Sequence, residues 1–195
     1  GDLYKLKVRW NGGEGERIPA WANRVVQDEQ TKIFSAQVWE PENPYRFRKK
    51  VFRAKTDPLM IYECHIGMAQ EEERVGTYNE FREKILPRIA EAGYNCIQIM
   101  AIQEHPYYGS FGYHVSSFFA PSSRFGTPDE LKELIDTAHR MGIAVIMDIV
   151  HSHAVKNEVE GLGNLPVILI NTSIRAGGVN IRHGIPYALI MVRMR

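Results

Sequence analysis

At 195 residues the chain can bury a substantial core, and 44% hydrophobic with 24% charged residues is ordinary for a soluble globular protein. The formal net charge of +1 argues against a dedicated nucleic-acid-binding protein, which usually carries a basic stripe. No N-terminal signal peptide and no apolar run of membrane-spanning length is visible, so we expect a cytoplasmic protein without a membrane partner.

The first fifty residues have the pattern of an all-β segment. Polar and apolar residues alternate over residues 4–10, 34–40 and 45–49, which predicts three strands. Asn-Gly-Gly at residues 11–13 and Pro-Glu-Asn-Pro at residues 41–44 are typical turn sequences. Because so few strands do not make a sandwich, we expect residues 1–52 to be only part of an all-β domain.

After residue 53 the pattern changes to alternating strands and helices. Residues 59–66 predict a first strand. Residues 77–92 predict a helix that begins with a capping box of Thr77 and Glu80 and ends at Gly93. Pro87 lies inside this helix and is expected to kink it.

The same pattern repeats once more before residue 150. Residues 95–101 predict a second buried strand, and residues 104–124 predict a long loop. Thr127 at the N-cap and Pro128 in the first turn begin a second helix, which Gly142 ends. Residues 143–150 predict a third strand. Residues 53–164 therefore predict a run of strand–helix units, which would be only the N-terminal part of a barrel, because three strands cannot close one.

Two cysteines, Cys64 and Cys96, lie in the first and second predicted strands of this region. They are too far apart in sequence for a C-x-x-C redox or zinc motif. Both are therefore predicted to be buried, reduced thiols.

The heptapeptide of residues 147–153 carries the most chemical information. Asp148 follows an apolar strand, and His153 lies five residues further on. Barrel enzymes keep their active sites at the C-terminal ends of their strands, so this carboxylate and this imidazole are expected at such a site.

Four stretches of sequence carry a family resemblance. Residues 3–164 resemble the 1,4-alpha-glucan branching enzymes of the alpha-amylase clan, most specifically at residues 61–67, 93–98, 104–113 and 123–128. The resemblance implies a (β/α)8 TIM barrel, of which about three strands are present here. It also implies that residues 1–52 are the C-terminal part of a carbohydrate-binding-type sandwich, and that the partner is an alpha-glucan such as glycogen or amylose.

The resemblance also implies roles for five residues. Asp148 and His153 match the clan's first conserved region, in which the aspartate supports the catalytic pocket and the histidine donates a hydrogen bond to a sugar hydroxyl. Tyr113 matches the tyrosine that stacks on the same glucose. Glu104 and His105 resemble residues of the pocket wall. In each case a structural role is the alternative: strand-end hydrogen bonding for Asp148, a loop position for His153, the core for Tyr113, and a buried ion pair for Glu104 and His105.

No catalytic residue is expected in the chain as printed. Retaining glycosidic chemistry uses a carboxylate nucleophile and a carboxylic acid about 5 Å apart. In this clan they follow later barrel strands, whose motifs do not occur in the sequence, so we expect this chain alone to be inactive. Ser152 replaces an asparagine that often ligates calcium in amylases, which argues against a metal site, and no cofactor is implied.

Two other functions fit parts of the sequence. The chain could be a non-catalytic glucan-binding or vestigial fragment. Alternatively, His151 and His153 could form a zinc-binding pair, as in metal-dependent barrel hydrolases. Such pairs belong to a first barrel strand, whereas this motif follows the third predicted strand.

Residues 165–195 differ in composition from the rest of the chain. They contain four arginines and no Asp, Glu or Lys, whereas the preceding 164 residues contain 20 basic and 23 acidic residues. An apolar segment of one or two strands is one interpretation. The other is a frameshift: suitable codons from Pro166 onward, read two nucleotides later, encode a continuous run of family-like residues without a stop.

Sequencing the source DNA from the codon for Gly161 through about a hundred codons past Arg195 tests the frameshift hypothesis. We expect the shifted frame to be open and to encode the motifs of the later barrel strands. An open printed frame together with a blocked shifted frame would contradict the hypothesis.

Overall fold

The computed structural model describes residues 1–10, 13–49, 51–54, 58–152, 154–157, 159 and 161. These residues divide into two compact units, which are described separately. The described residues of the first unit are Gly1–Trp39, Gln103–Pro121 and residues 150–161 with the gaps just given, and those of the second are Glu40–Ile102 and Ser122–Ile149.

Ten strands and three α-helices are found in the described residues. The strands are β1 Leu3–Tyr4, β2 Leu6–Trp10, β3 Gly13–Arg17, β4 Val25–Gln27, β5 Phe34–Gln37, β6 Ile61–Cys64, β7 Cys96–Ile99, β8 Gln103–Glu104, β9 Ser117–Pro121 and β10 Ala144–Met147. The helices are α1 Tyr78–Glu80, α2 Leu86–Glu91 and α3 Pro128–Arg140, with a π-helical turn at Phe81–Ile85 and 3-10 turns at Ile66–Met68, Tyr108–Ser110 and Ser123–Phe125.

The first unit is built from small antiparallel sheets. One has the strand order β1-β5-β4, and β2 and β3 form a separate hairpin. The predicted strand at residues 4–10 is confirmed for its greater part, and the one at residues 34–40 ends at Gln37. A core cluster of small and aromatic side chains lies in this unit: Ile18, Ala22, Val25, Phe34, Ala36 and Ala120. This pairing agrees with an all-β segment, whereas the assignment of residues 1–52 to the C-terminal part of a sandwich remains a prediction.

The second unit contains the predicted strand and helix repeats. Its three strands are parallel, in the order β10-β7-β6, and Cys96 of β7 pairs with both Ile61 and Ala144. All three strands are shorter than predicted but lie at the predicted positions. Cys64 and Cys96 are free and buried, as predicted, and burial raises the pKa of Cys64 to about 12.

The first helical region begins and ends as the sequence predicts. Thr77 and Glu80 form the capping box, and Gly93 follows the last turn with φ of 87°. The irregularity expected at Pro87 is a π-helical turn: the Leu86 N–H donates to the Phe81 carbonyl, five residues earlier. Proline has no N–H to donate, and its ring crowds the preceding turn, so a wider turn before it relieves the clash.

Helix α3 matches its prediction closely. Thr127 and Glu130 form a capping box, and Gly142 follows the helix with φ of 83°. The face that the helix buries carries the predicted apolar stripe: Leu131, Leu134, Ile135 and Ala138. Among the described residues, no helix is both long enough and apolar enough to cross a membrane.

The predicted loop at residues 104–124 contains more structure than expected. Strands β8 and β9 form a short antiparallel ladder, in which Gln103 pairs with Pro121 and Glu104 with Ser117. The shift in register between these pairs shows that β9 carries an irregularity. The prediction of an unstructured loop is therefore wrong for its two ends.

A buried carboxylate holds the chain segment that precedes the parallel strands. Asp136 of α3 has no exposed surface. It accepts hydrogen bonds from the Tyr45 hydroxyl at 2.7 Å and from the backbone N–H groups of Arg48 at 3.1 Å and Lys49 at 2.8 Å. The Tyr45 N–H donates to Asp129 at 3.1 Å. The predicted strand at residues 45–49 is therefore wrong, because these N–H groups bond to helix carboxylates instead of a neighbouring strand.

This network sets the ionisation of both partners. Burial alone would raise the pKa of Asp136, but the hydrogen bonds from Tyr45, Lys49 and Arg48 and the charge of Arg140 lower it below its ordinary value. Burial and the nearby Asp136 raise the pKa of Tyr45 to about 12. A lowered carboxyl pKa stabilises the fold above the pKa of the unfolded chain, and this contribution is lost as pH falls through the folded value.

Replacing Tyr45→Phe removes one hydrogen bond to this carboxylate, and we expect a loss of about 1.5–3 kcal/mol in the free energy of unfolding at pH 7. Urea denaturation measures it. The difference from wild type should shrink as pH falls through the pKa of Asp136 in the folded chain, which the hydrogen bonds hold below the ordinary aspartate value. Tyr107→Phe, at an exposed tyrosine, is the matched control, and equal effects of the two changes would contradict the assignment.

Candidate functional site

A buried amide organises the part of the first unit that contains most of the predicted site residues. Gln103 is 2% exposed. Its Nε2 donates to the Phe118 carbonyl at 3.0 Å, and its Oε1 accepts from the Val150 N–H at 2.9 Å. One side chain thereby joins β9 to the segment that begins at Val150. The buried Val150 N–H needs such a partner, and the Phe118 carbonyl is partly buried.

The segment after Val150 makes further contacts within the first unit. The His151 ring packs edge-on against Phe118, with ring centroids 5.6 Å apart. The Val155 N–H donates to the Val115 carbonyl at 2.8 Å. Val150 and Val155 are therefore each attached to the first unit, through Gln103 and Val115 respectively. His151 lies beside Phe118 of β9.

Glu104 and His105 are fully buried. The His105 N–H donates to the Glu104 carboxylate at 3.1 Å, and both the N–H and the hydroxyl of Ser116 donate to the Glu104 carbonyl. His105 Nδ1 lies 2.9 Å from the Gln103 carbonyl oxygen, which assigns the proton to Nδ1. Neither side chain has exposed surface, and their predicted place in the pocket wall stays a prediction.

Tyr113 lies at the end of a tightly turned loop. After the 3-10 turn Tyr108–Ser110, Phe111 has φ of 53° and Gly112 has φ of 89°. A left-handed phenylalanine is strained, and such strain persists where the surroundings impose it, often at functional sites. The Tyr113 N–H donates to the Ser110 carbonyl at 3.0 Å, and the side chain is half-buried. The backbone hydrogen bond therefore fixes the position of Tyr113, and the residue keeps some accessible surface.

Asp148 belongs to the second unit. It follows β10 directly, its N–H donates to the Ile99 carbonyl at 2.9 Å, and it is half-buried. The structure therefore places Glu104, His105 and Tyr113 in one unit and Asp148 in the other. His153 lies outside the described residues, so neither its sugar-binding role nor the zinc-pair alternative with His151 is tested.

A cavity of about 550 Å³ in the second unit contains none of the predicted site residues. It lies beside the edge strand β6 and helix α2, where Tyr62, Arg88 and Tyr94 form part of its wall. We assign no function to it.

Two contributors to this region were not predicted from the sequence. Gln103 and Phe118 connect Val150 and His151 to β9. Gln103 had a detectable signal, because it is a polar residue directly after the apolar pair Ala101 and Ile102, where burial demands hydrogen-bond partners. Phe118 had no such signal, because the sequence alone does not show which phenylalanine of the Phe118–Phe119 pair contacts the motif.

Replacing Gln103→Leu should leave two backbone groups without a partner, one buried and one partly buried, and lower the free energy of unfolding by about 2–4 kcal/mol. Gln103→Glu keeps the acceptor for Val150 but buries a carboxylate that faces the Phe118 carbonyl oxygen, so a loss at least as large is expected. Urea denaturation measures both, and hydrogen exchange at the Val150 amide should accelerate most in the leucine variant.

The matched control is Gln27→Leu, because Gln27 makes an exposed hydrogen bond, to the Lys32 carbonyl. Its effect should stay within about 0.5 kcal/mol. A Gln103→Leu variant as stable as this control would show that the bridge does not hold the segment.

Comparison with known proteins gives three matches that cover most of the chain. The family model described as alpha amylase, catalytic domain, matches residues 31–160. A 1,4-alpha-glucan-branching enzyme of Dictyostelium discoideum is 52% identical over 155 residues, which cover 80% of this chain and 23% of that protein. The Saccharomyces cerevisiae enzyme of the same name is 53% identical over 169 residues, covering 81% and 24%. The chain thus spans about a quarter of the length of these relatives.

A solved structure gives the same fold. A crystal structure from Salmonella typhimurium, named as an alpha amylase, superposes with a TM-score of 0.57 and 31% sequence identity. The match covers 66% of this chain and 21% of that one.

Proposed function

The chain belongs to the alpha-amylase family, and on that premise we propose that it is part of a 1,4-alpha-glucan-branching enzyme. The parallel strands and helices of the second unit are accordingly part of a TIM barrel. The extent of identity with two curated branching enzymes carries the proposal. The whole protein would cut an alpha-1,4-glucan and transfer the released chain to a 6-hydroxyl, forming an alpha-1,6 branch.

The residues needed for the reaction would come partly from this chain and partly from the rest of the barrel. A retaining double displacement needs a carboxylate nucleophile and a carboxylic acid about 5 Å apart, and both follow later barrel strands in this clan. We propose that the residues of this chain bind the glucan and support the pocket, while the catalytic pair comes from the remainder of the barrel.

The position of Asp148 supports a role in the pocket. It follows a parallel strand directly, and the C-terminal ends of barrel strands are where such enzymes keep their active sites. We propose that its carboxylate supports the catalytic pocket and that His153 donates a hydrogen bond to a sugar hydroxyl. Neither residue is proposed as nucleophile or acid.

Three residues of the first unit have different proposed roles. We propose that a glucose unit stacks on the ring of the half-buried Tyr113. The C–H groups on one face of the sugar would contact the electron-rich face of the aromatic ring. Glu104 and His105, which are fully buried, would form the supporting wall of the pocket.

We further propose a division of the chain into three parts. Residues 1–52 are the C-terminal part of a carbohydrate-binding-type sandwich, and residues 53–164 are the start of the barrel. Residues 165–195, which lie outside the described part, are an out-of-frame tail.

A chimera tests this function directly. Residues 1–161 would replace the matching quarter of the Saccharomyces cerevisiae branching enzyme, and branching of amylose would be followed by iodine staining. We expect an active chimera. Tyr113→Ala should raise KM about tenfold, while Tyr113→Phe, which keeps the ring, should change it little. Asp148→Asn should lower kcat about 100-fold or more.

The controls separate function from folding. Asp2→Asn, at an exposed carboxylate of the first unit, should leave the rate unchanged. The 195-residue chain alone should not branch amylose. An inactive chimera that folds, or branching by the 195-residue chain alone, would overturn the division of roles proposed here.

A further inference from the structure

A short segment of the second unit concentrates positive charge in a chain that is nearly neutral. The formal net charge of all 195 residues is +1, yet residues 45–54 contain five basic residues and no Asp or Glu. The basic residues are Arg46, Arg48, Lys49, Lys50 and Arg53. A local excess of one charge attracts ligands of the opposite charge, whatever the net charge of the protein.

The segment presents these charges to solvent. Its aromatic residues Tyr45, Phe47 and Phe52 are half-buried, whereas its basic residues that the structure describes are exposed: Arg46, Arg48, Lys49 and Arg53. None of these four side chains forms an ion pair with any described residue. Their charges are therefore available to a partner.

Helix α3 fixes the backbone under these charges. The N–H groups of Tyr45, Arg48 and Lys49 donate to carboxylates of the helix. The Phe52 ring stacks on His139 of the same helix, with centroids 4.2 Å apart and an interplanar angle of 9°. Because both ends of the segment are attached to one helix, a ligand has to order the basic side chains but not the backbone, which lowers the entropic cost of binding.

The carboxylates beneath the segment do not neutralise the exposed charges. Asp136 accepts three hydrogen bonds from the segment, and it also lies 3.7 Å from the Arg140 guanidinium. Asp129 pairs with Lys132 at 2.7 Å. Each acid that bonds to the segment therefore has a cation of its own helix as a partner, and the surface keeps its excess of positive charge.

The surroundings of the charges argue against nucleic acid and lipid as ligands. Sites for single-stranded nucleic acid combine basic side chains with aromatic rings on which bases stack. Here the rings are used within the protein: Tyr45 meets Phe47 edge-on with centroids 6.1 Å apart, and Phe52 is stacked on a histidine of α3. Membrane-surface segments bury an apolar face as well. Val51 is the only large apolar side chain exposed in the described part of this segment.

The spacing of the arginines fits an acidic peptide. Half-buried and exposed residues alternate from Tyr45 to Arg48, which places Arg46 and Arg48 on the same side. Residues two apart in an extended chain are separated by about 6.5 Å, and carboxylates at alternate positions of an extended peptide have the same spacing. The planar fork of an arginine binds one carboxylate through two parallel hydrogen bonds, which a lysine cannot do.

We propose that the exposed face of residues 45–53 binds an extended acidic peptide of a partner protein, whose alternate carboxylates pair with Arg46 and Arg48. The proposal does not depend on the branching function, because it rests on the charges and contacts of this segment.

Fluorescence anisotropy of the 195-residue chain with a labelled short peptide, in which glutamate alternates with serine, tests the site. We expect saturable binding that weakens as the salt concentration rises, because exposed ion pairs are screened. The double change Arg46→Gln and Arg48→Gln should weaken binding about fivefold. The double change Arg46→Lys and Arg48→Lys should weaken it less, because the charges are kept and only the forks are lost.

The matched control is the double change Lys84→Gln and Arg88→Gln, which removes two exposed cations from the same unit. It should alter the affinity by less than about twofold. A peptide with glutamine in place of glutamate should not bind. Near-ultraviolet circular dichroism confirms that each variant keeps its tertiary packing. The chimera with the same substitutions repeats the comparison in a chain of full length, and the same ranking is expected there.

Three outcomes would overturn the proposal. Equal weakening by the two double changes to glutamine would show that net charge alone attracts the peptide. Failure of the folded wild-type chain and of the chimera to bind the peptide would remove the site altogether. Tighter binding of an oligothymidylate of the same length, or of vesicles that contain phosphatidylserine, at the same ionic strength would assign the segment to a different kind of partner.

Discussion

The shared register of three parallel strands is the constraint on which the second unit depends. Cys96 pairs with Ile61 on one side and with Ala144 on the other, so the last residues of all three strands align at one edge. The ladder continues one step beyond β10, because the Asp148 N–H donates to the Ile99 carbonyl. A shift of two residues in this pairing would move Asp148 about 7 Å along the strand. The position of the carboxylate is thus set by backbone hydrogen bonds before its own side chain makes any contact.

Local sequence patterns correctly predict helices whose ends are set by capping residues. They fail for segments whose conformation depends on hydrogen bonds to residues far away in the chain. Thr127, Pro128 and Gly142 specify the ends of α3 because each acts through neighbouring backbone. The alternating residues 45–49 have the period of a strand, yet their N–H groups bond to Asp136, some ninety positions later in the chain. No local pattern contains that information. Asp148, which follows an apolar run, could be found from the sequence, whereas the partners of Gln103 could not, because they come from two other segments.

Buried polar side chains take the place of regular hydrogen-bond ladders in both units. Asp136 accepts the N–H groups of a segment that has no strand partner, and Gln103 joins a strand to the segment that follows Val150. Burying each of these polar side chains costs free energy of desolvation. Removing one would also destabilise the fold, because several backbone groups would lose their hydrogen-bond partner. Such a residue fixes one arrangement of irregular chain, which an apolar side chain of the same size cannot do.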